Sequence, residues 1–234
     1  MLQNTKIFLG GALLLSVLAI STNAHAVFLI DDFTDFQTVS DSGIAPGTGS
    51  TPLALSATAS SLAGIQRTLF SDATGGGFGD QTILIGEPGG PGTGGMLAVS
   101  NNTFSAGTAT ITWNGFTTSD FTAFSNAILL EVIAIDLNVN VEMIVNGNTL
   151  TPSTSGLQTF TGPGNFFVNF ATFSNPLAFQ AVSQFQLKFT GPTAWDGQFR
   201  LLAAESNQEI PEPAMLFLMG LGFLGLMAVR KRII

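Results

Sequence analysis

Cysteine and tyrosine are absent from this 234-residue chain, and histidine occurs once. Without cysteine there is no disulfide, no thiolate metal ligand and no cysteine nucleophile. Without tyrosine, aromatic packing falls to 21 phenylalanines and two tryptophans. Charge is scarce too, at 9% of residues, and glycine is abundant at 27. A helical bundle needs Glu, Lys and Arg on its wet faces, so this composition points to a β-sandwich with many turns.

Basic charge is scarcest in the middle. Between residues 27 and 209 only Arg67, Lys188 and Arg200 stand against fourteen acids, a net charge of −11. Such a surface repels phosphates, which excludes nucleic acid as a partner. The stretch has the size of one domain with its own core.

The two ends differ from this middle. Lys6 precedes an apolar run over residues 7–20, and Ala24-His25-Ala26 follows. Positive charge, hydrophobic run and A-x-A site are the three parts of a signal peptide, with cleavage expected after Ala26. The fourteen apolar residues would rise only about 21 Å as a helix, short of a bilayer core of about 30 Å. Cleavage would remove His25, leaving no histidine for a Ser-His-Asp triad or a zinc site. At the other end, Pro211-Glu212-Pro213 leads into sixteen mostly apolar residues, 214–229, and then Arg230-Lys231-Arg232. As a helix these would rise about 24 Å, marginal for spanning. The basic cluster favours the cytoplasmic side, which places the body outside the inner membrane. Gly220, Gly222 and Gly225 weaken the helix, as suits a temporary anchor.

Pro211, Glu212 and Pro213, the Gly- and Leu-rich segment and Arg230, Lys231 and Arg232 closely resemble the PEP-CTERM sorting signal. The resemblance covers about the last twenty-five residues; ending on Ile233-Ile234 is a mild departure. It implies a Gram-negative bacterium that makes exopolysaccharide. It also implies an exosortase that removes the tail near Pro-Glu-Pro, so that the body ends at the cell surface or in the extracellular matrix. These residues are then substrate, not catalyst. The processing partners are signal peptidase and exosortase, with the inner membrane as a transient host.

The middle reads as short strands between turns. Phe185, Leu187 and Phe189 alternate with Gln184, Gln186 and Lys188 over residues 183–190, a half-buried strand. Val139, Val141, Met143 and Val145 alternate likewise before an Asn146-Gly147 turn. Residues 127–136 read as a central strand, and residues 108–113 as another before Asn114-Gly115. Phe166, Val168 and Phe170 share a face, and residues 81–86, 96–100 and 199–203 add shorter strands. No helical spacing and no internal repeat is present. The expected fold is mostly β, a β-sandwich of jelly-roll type flanked by a signal peptide and a C-terminal transmembrane helix. The expected division is 1–26 signal peptide, 27–204 sandwich, 205–210 linker and 211–234 sorting signal. Residues 41–51 and 86–95 read as loops. The glycines of the second lack the Lys-Ser/Thr ending and the helix of a phosphate loop.

Candidate chemistry is thin. Asp31 and Asp32 near the start of the mature body and Asp196 near its end loosely resemble the acids of carbohydrate-binding jelly rolls. The resemblance suggests a structural Ca²⁺ as the candidate cofactor, since Ca²⁺ takes hard oxygen ligands. The alternative is that they cap turns. Trp195, beside a turn, is the candidate for stacking on a sugar; Trp113 lies in an alternating strand and reads as core. Paired carboxylates of a glycosidase cannot be placed from linear sequence. The sequence thus points to a non-enzymatic structural or adhesive surface protein whose partner is polysaccharide or envelope matrix. The alternatives are a carbohydrate-binding module with a defined site, and then a glycoside hydrolase or lyase.

Overall fold

In a computed structural model, residues 28–206 are described apart from 45, 76–77, 87–94 and 148. The expected signal segment with Ala24 and Ala26, and the sorting segment with Pro211, Glu212, Pro213, Arg230, Lys231 and Arg232, lie outside the described residues.

The described chain is two antiparallel sheets, each of seven strands, packed face to face. The strands are β1 (Phe28–Asp31), β2 (Gln37–Asp41), β3 (Thr48–Gly49), β4 (Leu53–Ala54), β5 (Gln66–Asp72), β6 (Gln81–Ile85) and β7 (Leu97–Asn101). They continue as β8 (Thr108–Asn114), β9 (Ala127–Ile135), β10 (Val139–Val145), β11 (Ser153–Phe160), β12 (Gly164–Asn169), β13 (Phe185–Thr190) and β14 (Gly197–Glu205). The first sheet runs β12-β9-β14-β7-β6-β2, with β1 also on β14; the second runs β11-β10-β13-β8-β5-β3, with β4 also on β5. Two short 3₁₀ turns, Phe170–Thr172 and Pro176–Gln180, are the helical elements among the described residues.

Burial follows the alternation of the sequence. In β10 and β13 every other residue is buried, and Val141, Met143, Leu187 and Phe189 face the core. Each such side chain contributes about 1.5–3 kcal/mol when removed from water. Phenylalanines join the sheets: Phe189 of β13 meets Phe199 of β14 at 4.7 Å, and Phe160 of β11 stacks on Phe166 of β12 at 4.1 Å. In β9 the run Ala127 to Leu130 is buried on both faces, consistent with its place between β12 and β14.

Three boundaries differ from the sequence reading. The loop expected at 41–51 begins on the last residue of β2 and holds β3. Phe170 leaves the strand for the first 3₁₀ turn, where its ring stacks on Phe179. The sandwich runs through Glu205, one residue into the expected linker, because Glu205 pairs with Ala127.

β14 fixes the polarity of the molecule. Its far half pairs with β1 (Phe28 opposite Ala204), and its near half pairs with β7 (Gly197 opposite Val99). The chain therefore enters β1 and leaves β14 side by side at one end of the sandwich. Nine strand residues, about 30 Å, separate that chain-end pole from the other.

Candidate functional site

Asp31 ends β1 at the chain-end pole, on the inward side, so its carboxylate lies between the sheets. Arg67 of β5 shares parity with Leu69 and also points inward, and both charged groups are fully buried. The Arg67 Nη1 donates to Asp31 Oδ2 at 2.6 Å. Trp113 Nε1–H donates to the same oxygen at 2.8 Å, and the Phe33 N–H to Oδ1 at 2.8 Å. Arg67 Nε donates to Gln37 Oε1 at 2.9 Å, and its Nη2 to the Asp35 carbonyl. Gln37 in turn donates to Ser50 Oγ and the Thr51 carbonyl, both at 2.9 Å. Burial pushes the Asp31 carboxyl above its usual range, opposed by the Arg67 charge and by the three hydrogen bonds it accepts. Phe33 adopts φ 59°, unusual outside glycine, and its ring lies 6.4 Å from Trp113.

A second network lies at the opposite pole. Asn101 of β7 donates from Nδ2 to the Trp195 carbonyl at 2.6 Å and accepts at Oδ1 from Gln81 Nε2 at 3.0 Å. Ser71 of β5 donates to Gln81 Oε1 at 2.8 Å, which links the sheets. Trp195 Nε1–H donates to the Gly107 carbonyl at 3.2 Å. The indole packs on Gly191, where a Cβ would come within 2.5 Å of the ring. The Asp196 carboxylate accepts the Asn101 N–H at 2.8 Å, and its own N–H donates to Asp136 Oδ1 at 2.8 Å.

These placements correct the expected sites. Trp195 is fully buried, so its face is closed to a sugar. Asp31 is held by Arg67, and Asp32 Oδ1 accepts the N–H and hydroxyl of Thr34 on an exposed turn. Asp31 lies opposite Leu202, six strand residues from Asp196, a separation of about 20 Å. The three acids do not converge, and no group of three or more His, Cys, Asp or Glu is placed to hold a metal among the described residues. Trp113 is core, as its strand suggested. Sequence reasoning missed Arg67 as a buried partner; its parity with Leu69 in β5 was the available signal.

What remains for recognition is on the surface. Phe78 and Phe104 are 80% and 67% exposed, on the loops before β6 and after β7 at the pole away from the chain ends. Asn102 ties those loops together, donating from Nδ2 to the Phe78 carbonyl and accepting the Phe104 N–H, both at 2.9 Å.

By fold and polarity this is a β-sandwich protein whose first described strand begins, and last described strand ends, at one pole. The family model of the PEP-CTERM protein-sorting motif matches residues 209–232, so the chain carries that motif, beginning four residues beyond β14. The motif marks an exported surface protein processed at the membrane. No helix long and apolar enough to cross a membrane is present among the described residues. No curated protein matches the sequence. Among solved structures, the chain is similar to a family 11 carbohydrate-binding module from Clostridium thermocellum in complex with a β-1,3-1,4-mixed-linked tetrasaccharide. That likeness has 11% identity and a TM-score of 0.44, covering 78% of this chain and 97% of the module. It is also similar to the family 11 module of a cellulosomal cellulase of Clostridium thermocellum, at 10% identity and a TM-score of 0.41, covering 80% and 99%.

Proposed function

We propose that the chain is an exported, exosortase-processed protein of a Gram-negative bacterium, and that its sandwich is a non-enzymatic structural or adhesive module. In this reading signal peptidase removes residues 1–26, and the inner membrane holds the C-terminal segment until the exosortase cuts near Pro211. The body, 27–204 as a jelly-roll-type sandwich with a short linker after it, then joins the cell surface or extracellular matrix against polysaccharide. The observation that carries the reading is the sorting motif at 209–232, immediately after a strand whose end shares a pole with β1. On this reading the segments that carry both processing sites leave the body beside each other, at the start of β1 and the end of β14, and the opposite end faces outward. The non-enzymatic reading is supported by the engagement of these acids: Asp31 and Asp41 are buried and Asp196 is half-buried, and each accepts hydrogen bonds from backbone or side-chain donors.

The test is expression of the full chain with and without an exosortase, followed by mass measurement of the mature product. Loss of the tail near Pro211 only when the enzyme is present is the expected outcome. An intact C-terminus in an exosortase-bearing, exopolysaccharide-making host sinks the reading.

A further inference from the structure

We infer that Phe78 and Phe104, at the pole opposite the chain ends, form the stacking platform by which this protein binds a neutral polysaccharide; the inference rests on the surface-and-matrix reading above and supplies its site. A pyranose offers an apolar C–H face that an aromatic ring covers, with polar groups beside it to fix orientation. Tyrosine is absent and both tryptophans are fully buried, so only phenylalanine can provide such a ring here. Among the described phenylalanines these two are the most exposed. Large exposed apolar side chains on loops tied to each other call for an explanation that scattered ones do not.

The backbones that carry both rings are hydrogen-bonded to each other through the Asn102 side chain. Besides the two hydrogen bonds of the Asn102 side chain, the Asn102 N–H donates to the Asp80 carbonyl at 3.0 Å and the Phe78 N–H to the Gly75 carbonyl at 3.2 Å. The Ala106 N–H donates to Thr74 Oγ1 at 2.9 Å. Gly75 adopts φ +127°, and a Cβ there would come within 2.9 Å of the Phe104 carbonyl, so glycine lets the loops close on each other. A loop backbone ordered before binding loses little entropy on binding. Thr74, Asp80 and Thr103 are exposed on the same loops, and Asn102 is half-exposed.

Charge selects the polymer. The described body has three basic residues: Arg67 is buried in its ion pair, Arg200 pairs with Glu131, and Lys188 lies on β13. None is on the two loops, whereas Asp80 is. A polymer of uronic acids is therefore repelled and a neutral one is not. The same lack of cations leaves this pole without the basic side chains that attract an anionic membrane surface.

The test uses the full chain in detergent, run through native gels that contain neutral glucans, mannans or galactans, or alginate as the acidic polymer. Retardation by at least one neutral polymer and none by alginate is expected. The double variant Phe78→Ala/Phe104→Ala should weaken retention at least about tenfold, as loss of an aromatic hot spot does. The double variant Phe78→Leu/Phe104→Leu should weaken it similarly, because leucine keeps the apolar surface and loses the flat face. Retention unchanged in the alanine variant overturns the site and leaves the matrix reading standing. Full retention in the leucine variant overturns stacking, and equal retardation by alginate overturns the charge selection. No retardation of the parent chain by any polymer overturns both the site and polysaccharide as partner. If sedimentation shows that the alanine variant abolishes self-association while glycan retention persists, the rings are a contact between copies and the site is overturned.

Discussion

The two poles of the sandwich are built on one plan with different chemistry. Each has a buried indole, Trp113 or Trp195, and beside it a non-glycine residue at positive φ, Phe33 or Ala194. At each, a glutamine of the first sheet reaches β5 of the second: Gln37 to Arg67, Gln81 to Ser71. The chain-end pole closes on an ion pair, Asp31 with Arg67, and the opposite pole on the neutral amides of Asn101 and Gln81. Buried amides need partners, whereas a buried charge needs partners and a counter-charge. The pole where the chain enters and leaves therefore depends on two residues at once, and the outward pole does not.

Breaking one member at each pole should expose that difference. Arg67→Ala leaves the Asp31 carboxylate buried without its counter-charge, an expected loss of about 3–5 kcal/mol. Asn101→Ala leaves the Trp195 carbonyl and the Gln81 amide short of a partner, an expected loss of about 1–3 kcal/mol. Urea unfolding of the full chain in detergent checks the order. Equal losses would mean that the ion pair holds the sheets no better than the amides.

A smaller effect sharpens the contrast through pH, because the ion-paired pole holds the fully buried carboxyl of Asp31 between the sheets. Burial raises the Asp31 carboxyl above its usual 3.8 in the fold. A raised acid holds its proton more tightly folded than unfolded. Its contribution to stability is then fully present below the unfolded value and lost as pH rises through the folded one. The double variant Asp31→Leu/Arg67→Met removes the group without stranding a charge. The stability of the parent minus that of this variant should fall as pH rises from acid toward neutrality. A difference that grows with pH would show that the attraction of Arg67 outweighs desolvation.

Legibility in the sequence divides along the same physical line. β8, β10 and β13 were readable because their inward positions are apolar and their outward ones polar. β2, β5 and β11 were not, because their inward positions include Gln37, Asp41, Arg67, Ser71, Ser153 and Ser155. A polar residue at a core position makes sense only once its partner is known, and Arg67 and Asp31 are 36 residues apart. The candidate site failed for the related reason that linear proximity to a turn was taken for exposure. Trp195 follows the 191–194 turn, yet Gly191 leaves room for the indole to fold inward, and Asn101 and Gly107 satisfy its polar atoms. The sorting motif needed no fold to be seen, because its recognition depends on order and spacing along the chain.

The smallest expected effect on stability is at Phe104. Its ring is two-thirds exposed, and its loop is held by the Asn102 side chain through backbone atoms that Phe104→Ala leaves in place. The change in unfolding free energy should stay within about 0.5 kcal/mol, as for surface substitutions in general. Phe33→Ala, at a fully buried ring of the other pole, should cost about 3–5 kcal/mol in the same measurement. The gap between these values separates a ring kept for packing from one left over for a partner. A loss above about 1 kcal/mol at Phe104 would make its ring part of the fold. The outward pole would then have no aromatic platform to spare.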